Sequence, residues 1–411
     1  MARSKEKFSV PVLIGCLVSS FCVGIVYLWS VFKASTIGYY QWDDGLVNLI
    51  SGVMLFGFCL GHTIGGNLQD RTNPRLISMI GMVLFGGGLF LSSLIPQGGS
   101  IVWFYVTYCI MGGLGSGIVF SSAVNGLQTW MPHRRGLATG LVTASQGLGT
   151  ALTPLIHFLL NRMELPGAMR TLAGILFVFG FCACLFMALP GEGYLRTLPP
   201  PPAIISKGSL SKVDLSPTRA MRTLPFWLMF GCLFLYNSTW NILTPLITGL
   251  GQDRGLTLTA VTTLVTLTGI AQACGRFFMS TLSDKIGRFT SLVILCTITP
   301  VSALFLTGAG GGLYIVIVLL TAFGFGGPAA VFPAFTTDLF GSKYSGGNYG
   351  IIILGLGFSS VIFTAISNQL YAATGTYVYS FLLAAAATVV TLLFQIKIHL
   401  ILKKAHAAQA E

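Results

Sequence analysis

Arg276 is the single charged residue inside a long apolar stretch, in the run CGRFFMSTLSDKIGR, eight residues before Asp284. Eight residues of helix rise about 12 Å, which sets the guanidinium near the centre of a bilayer, too deep to snorkel to its edge. A base at that depth costs about 2.5 to 3.5 kcal/mol on insertion scales and ordinarily faces a cavity and a counter-charge. Its planar fork matches a carboxylate bidentately, so the chemistry on offer is reversible binding of an anion. The competing reading satisfies Arg276 with a buried acid, backbone carbonyls or a helix C-terminal dipole. No Asp or Glu lies in any of the expected spans, which favours an anion that comes and goes.

A second position follows from an internal repeat. GNLQDRTNPR at residues 66–75 and STLSDKIGRF at residues 280–289 both place an acid, a base, a turn and another base at one spacing, with Asp70 and Asp284 214 residues apart. Counting back eight from Asp70 lands on His62, in FCLGHTIGG, at the depth Arg276 holds in the other copy. An intramembrane His is either a packing residue or a site that bonds substrate or carries a proton near pH 6.5. His157, closer to a span end, is the weaker case.

The repeated acids and bases (Asp70, Arg71 and Arg75; Asp284, Lys285 and Arg288) read as a latch, since an acid near a helix end can bond amides or a base on a neighbour in one state and release them in another. A plain topology anchor explains the bases but not the acids. A second pair of glycine-rich junctions, TWMPHRRGLATG and FPAFTTDLFGSKYSGGNYG, repeats across the two halves.

Long apolar elements must position these residues. Only 8% of the 411 residues are charged, 54% are hydrophobic and 51 are Gly, which excludes a water-soluble globule of ordinary composition. A bilayer core needs roughly 20 apolar residues per helix, and twelve stretches qualify, near 10–32, 46–69, 76–96, 101–130, 136–160, 171–189, 223–250, 256–283, 289–308, 312–337, 346–370 and 375–396. Segments on one side of these spans hold 18 of the 23 Lys and Arg, and the opposite loops hold four: Lys33, Arg162, Arg170 and Arg254. The positive-inside rule then puts both termini in the cytoplasm. The first span is too long for a signal h-region and lacks a cleavage site. A longer connection, 190–222, with Pro199 to Pro202 in a row, divides the chain into an N-terminal six-helix bundle (1–189) and a C-terminal one (223–411).

These features resemble the major facilitator superfamily, whose signature after the second and eighth spans is G-x-x-x-D-(R/K)-x-G-R-(R/K). The chain departs from it at Asn73, Pro74 and Ser280. More narrowly, VYLWSVF, WMPHRRGLATG, CGRFFMSTLSDKIGR and the FP, DLFG and NYG elements are similar to the oxalate:formate antiporter family of small-carboxylate transporters, over essentially the whole chain. That resemblance implies an all-α membrane fold of two pseudo-symmetric six-helix bundles, with a midplane site reached alternately from either side. It implies that Arg276 binds the substrate carboxylate and that Tyr27 and Phe325 occupy aromatic cavity positions. Phe120 and Gln146 stand where the oxalate pattern has tyrosines, and Leu356, eight residues after Asn348, stands where oxalate carriers have a second cation, a lysine. One fixed cation balances one carboxylate, so the departure favours a monocarboxylate such as pyruvate, lactate or formate over oxalate. Asn125, Asn237, Trp240 and Asn241 are further lining candidates from the residues themselves, equally suited to cross-linking helices.

Other classes fit less well. An enzyme needs a clustered acid, base, nucleophile or metal set, a receptor needs a signalling domain, drug pumps an embedded acid, and sugar carriers more intramembrane polar residues; none is visible. The nine Cys sit in apolar runs without disulfide or metal spacing, and the glycine runs lack the preceding strand of a phosphate loop. Scattered bases do not make a nucleic-acid footprint. The expectation is a cofactor-free, metal-free monomer in a plasma membrane of bacterial inner-membrane type. Its partners are the bilayer, a small organic anion and either a proton in symport or a counter-anion in exchange.

Overall fold

The computed structural model describes residues 9–69, 72–195 and 214–410, and these are helical almost throughout. Asp70, Arg71 and most of the 190–222 connection lie outside the described residues. Apolar helices form because a chain in lipid must satisfy every backbone group within itself. Large apolar side chains such as Trp103, Phe179 and Phe278 stand exposed on the outer surface, an arrangement suited to hydrocarbon and hazardous in water. Among the described residues, ten helices are long and apolar enough to cross a membrane.

The two remaining expected spans are present but broken. Span 5 runs as Arg135–Leu148, a 3-10 turn at Gly149–Leu152, and Thr153–Arg162. Span 7 runs as Leu224–Tyr236, Ser238–Leu243, a 3-10 turn at Thr244–Leu246, and Ile247–Asp253. Pro154 enters the piece after its break and Pro245 stands in the 3-10 turn itself, each in a first turn where a missing N–H is tolerated. Span 1 is interrupted likewise, by a 3-10 turn at Val23–Tyr27 between Val10–Cys22 and Trp29–Tyr40.

Spans 2, 3, 4 and 6 are Asp44–Gln69, Pro74–Ser92, the stretch Ile101–Trp130 and Leu165–Cys184. Spans 8, 9 and 10 are Leu258–Ile286, Arg288–Phe305 and Gly311–Phe340; span 11 joins Ser345–Ile352 to Leu354–Thr374, and span 12 is Val378–Ala410. Several expected boundaries move, the helix of span 12 running 14 residues past its expected end at 396. Lys33 lies inside the helix Trp29–Tyr40 and Arg170 inside Leu165–Cys184, rather than in loops, and Asp338 closes span 10 from within.

Packing repeats with the sequence. Span 2 lies on span 4 as span 8 lies on span 10, span 3 on span 6 as span 9 on span 12, and span 1 on spans 5 and 6 as span 7 on spans 11 and 12. Two seams join the halves, span 5 against span 8 and span 2 against span 11. Each carries one of the repeated positions, Arg276 against Thr143 in the first and His62 against Gly350 in the second.

Candidate functional site

A cavity of about 560 Å³ opens between the halves at the end of the molecule away from the basic loops. Lys33, Asp253, Tyr371 and Tyr377 stand around its mouth, and Tyr27, Thr150, Trp240, Thr268 and Gln272 line it further in. Two smaller spaces continue toward the basic end. One of about 70 Å³ is bounded by Trp29, Asn48, Trp240, Asn241, Phe325 and Ser360 among others. The innermost, about 20 Å³, is bounded by Tyr27, Phe58, Phe120, Gln146, Asn237, Phe325, Tyr349 and Leu356. Span 11 traces the descent, contributing Asn368 to the first, Ser360 to the second and Ile353 to the third. Tyr27, the last residue of the 3-10 turn that interrupts span 1, touches all three.

Eight expected lining residues therefore come together: Tyr27, Phe120, Gln146, Asn237, Phe325 and Leu356 innermost, Trp240 and Asn241 above them. Two of the amides also serve packing. Asn237 donates to the Leu233 carbonyl at 2.6 Å and Asn241 to Ser359 Oγ at 3.0 Å. Asn125 lines none of these spaces; its amide nitrogen lies near Gly346, toward the basic end. His62 lies one layer behind the innermost space, fully buried, with ring centroids 5.5 Å from Phe120 and 5.1 Å from Tyr349. Both its ring nitrogens lack partners among the described residues.

Arg276 is 0% exposed and borders this cavity without lining it. Nη1 donates to the Thr143 carbonyl of span 5 at 2.7 Å, Nη2 to Gln272 Oε1 at 3.3 Å, and Cζ sits 5.1 Å from the Tyr27 ring centroid. Gly147 makes room for it, since a Cβ there would stand 2.8 Å from Nη1. Among the described residues no acid pairs with Arg276. A cation held by a neutral carbonyl, an amide and an aromatic face keeps its charge available to an incoming anion. Gln272 and Tyr349 were not among the expected residues. Gln272 stands four residues before Arg276, on the same helix face, a relation readable in the sequence.

The opposite end is shut by charge. Asp284 accepts from the Gly136 and Leu137 amides at 3.2 and 3.0 Å, in the first turn of the helix Arg135–Leu148, where the dipole favours an anion. Arg288 bonds Asp284 at 2.5 Å and Asp338 at 2.9 Å, and Arg135 reaches Asp338 at 3.4 Å from the other half. Lys285, by contrast, is exposed. At the other seam span 2 meets span 11 with little side chain between them. Thr63 Oγ1 donates to the Gly350 carbonyl, and a Cβ on Gly66 would collide with Gly346.

In the first copy of the repeat, Arg75 donates to the Met187 carbonyl at 3.2 Å, at the end of its own half. Asn73 caps the helix Pro74–Ser92 by accepting from the Arg75 amide at 2.9 Å, with Pro74 at the first position. The departures from the signature at these two residues thus form a standard helix start.

The family model described as Major Facilitator Superfamily matches residues 12–238 and again residues 229–409. An uncharacterized MFS-type transporter of Escherichia coli, YhjX, is 26% identical over 85% of this chain and 85% of its own length. The oxalate:formate antiporter of Oxalobacter formigenes is 28% identical over 83% of this chain and 78% of its own. Among solved structures, the proton:xylose symporter XylE superposes with a TM-score of 0.73 at 15% identity, covering 94% of this chain and 95% of that one; at such identity the likeness shows the fold.

Proposed function

This chain belongs to the Major Facilitator Superfamily and is a multi-pass membrane transporter, and from that premise we propose that its substrate is a small monocarboxylate of the pyruvate, lactate or formate type. The observation that carries the reading is Arg276, a fully buried guanidinium with no acid paired to it among the described residues, beside a cavity open to one end. Leu356 supports one carboxylate over two, because it offers an alkyl group to the innermost space and a second carboxylate there would be an uncompensated buried charge.

Transport proceeds by alternating access between two six-helix bundles, residues 1–189 and 223–411, joined by the 190–222 linker. With the basic end cytoplasmic, as the positive-inside rule requires, the state described is outward-open. Asp284, Arg288, Asp338 and Arg135 close the cytoplasmic side, and the solute descends past Tyr27 to Arg276, with His62 one layer back behind Phe120 and Tyr349. The protein works as a monomer in a plasma membrane, either exchanging anions or carrying a proton with its anion.

A second reading, exchange of oxalate or another dicarboxylate, is favoured by the 28% identical relative from Oxalobacter formigenes. Uptake of labelled pyruvate and of labelled oxalate into proteoliposomes, with and without a pH gradient and with and without internal anion, separates these. Saturable pyruvate uptake is expected. Oxalate uptake with none of pyruvate would overturn the monocarboxylate reading in favour of the second.

A further inference from the structure

The guanidinium of Arg276 meets something different on each side. Nη1 is fixed by the Thr143 carbonyl across the seam, and one face is covered by the Tyr27 ring. The remaining edge, Nε with Nη2, is a pair of parallel donors of the kind a carboxylate takes side-on. Nε is buried without a partner among the described residues, and Nη2 has Oε1 of Gln272 at 3.3 Å. A neutral amide at that distance is a weak acceptor beside a carboxylate, whose charge-assisted bonds are roughly twice as strong. Gln272 is 2% exposed, yet it lines the cavity through which a solute arrives, whereas Arg276 does not.

We propose that Gln272 is the specificity-determining residue of this site: it occupies the Arg276 edge in the empty carrier and reads the second carbon of the substrate in the loaded one. The ligand class that follows is a 2-oxo or 2-hydroxy monocarboxylate. This inference rests on the assignment of Arg276 as the carboxylate anchor.

When a carboxylate takes the Nε and Nη2 edge, Oε1 is displaced while the amide stays tethered one helical turn away. The atoms within its reach are those next to the carboxylate, where a 2-oxo or 2-hydroxy oxygen sits. A carboxamide both donates and accepts, so it serves either oxygen. A plain fatty acid leaves the amide buried with no partner, and a site built to bond a substrate oxygen rejects the analogue lacking it for that reason. In the innermost wall Phe120, Phe325 and Leu356 offer no polar side-chain group and the Asn237 amide nitrogen is committed to the Leu233 carbonyl, while Gln146 and Tyr349 carry polar groups on other helices than the one that holds Arg276.

The test is competition of pyruvate, lactate and propionate against labelled pyruvate on the purified full-length protein in proteoliposomes. Propionate has the carbon skeleton of the other two without the oxygen at the second carbon. The wild-type protein is expected to hold pyruvate and lactate about tenfold more tightly than propionate. In Gln272→Met, close in shape and without the amide, that ratio falls to within about twofold and propionate binds as well or better, because its competitor for Nη2 is gone. Gln272→Glu places a fixed carboxylate on Nη2 and abolishes binding of all three. If the Met variant does not fold, Gln272→Asn, which withdraws the amide by one methylene, gives a ratio between wild type and unity.

Equal weakening of all three acids in the Met variant overturns the inference, as does a wild type that does not discriminate propionate or an Asn variant with the wild-type ratio. Failure of the underlying reading shows separately, as normal pyruvate binding by Arg276→Gln or as no binding of any of the three acids by the wild type.

Discussion

The two seams between the halves share close glycine contacts but differ in charge. Where span 5 crosses span 8, contacts are ionic and polar: Asp284 on the Gly136 and Leu137 amides, Arg288 and Arg135 on Asp338 nearby, and Arg276 on the Thr143 carbonyl. Where span 2 crosses span 11, Gly66 lies on Gly346, Thr63 on Gly350, Cys59 on Gly357 and Ser360 on Gly52. Charged contacts respond to a ligand's charge, because the same donors can be redirected to it. Close backbone packing responds to shape alone. On the proposed mechanism, ligand sensing would concentrate in the first seam, and the second would act as a bearing surface for the two halves.

Substituting Arg276 gives the largest expected effect. Arg276→Gln should lower pyruvate uptake in proteoliposomes by about a hundredfold or more, the loss of a buried charge-assisted pair. Near-normal uptake would remove the functional asymmetry between the seams. Asp338→Asn comes next, since it strips a buried acid from between Arg288 and Arg135, a loss of about 3 to 5 kcal/mol in comparable pairs. Hydrogen exchange at the start of the helix Arg135–Leu148 should rise, with an uptake loss of tenfold or more. Unchanged exchange there would show that charge does not hold this end shut.

Gly346→Val tests the other seam. A side chain there meets Gly66 and Asn125, and overpacking costs about 1 to 3 kcal/mol, so exchange should rise along the ends of spans 2 and 11 with the first turn of span 5 unaffected. An equal rise at both seams would mean they yield as one body. The smallest effect belongs to His62→Phe, which keeps an aromatic body among Phe58, Phe120 and Tyr349. Uptake should change by less than about threefold with the same pH profile; a lost pH response would instead make His62 the proton site.

Much of this was legible from charge placement alone. The expectation of twelve spans, of their repeat and of a deep Arg276 follows from where the 34 charged residues sit, because lipid disfavours charge along most of each span. Less legible was anything decided by contact between distant segments. Asp338 looks like a loop residue in sequence, yet it ends span 10 and joins Arg288 to Arg135, 50 and 203 residues away. The repeat pairs His62 with Arg276 on equivalent helices, but equivalence is not access. The rings of Phe120 and Tyr349 stand between His62 and the innermost space, and only packing reveals that. The turn at Val23–Tyr27 contains no proline, so nothing local announced the break that brings Tyr27 to all three cavities.

The Arg276 guanidinium, with no acid paired to it among the described residues, also has an electrical consequence for the proposed mechanism. With a monocarboxylate on Arg276 the site is neutral, and the loaded carrier reorients without moving net charge through the membrane field. Empty, it carries one positive charge, and each elementary charge crossing the full field is worth about 2.3 kcal/mol per 100 mV. Membrane voltage would then act on the return of the empty carrier alone, so exchange of one anion for another runs independently of voltage while net uptake does not.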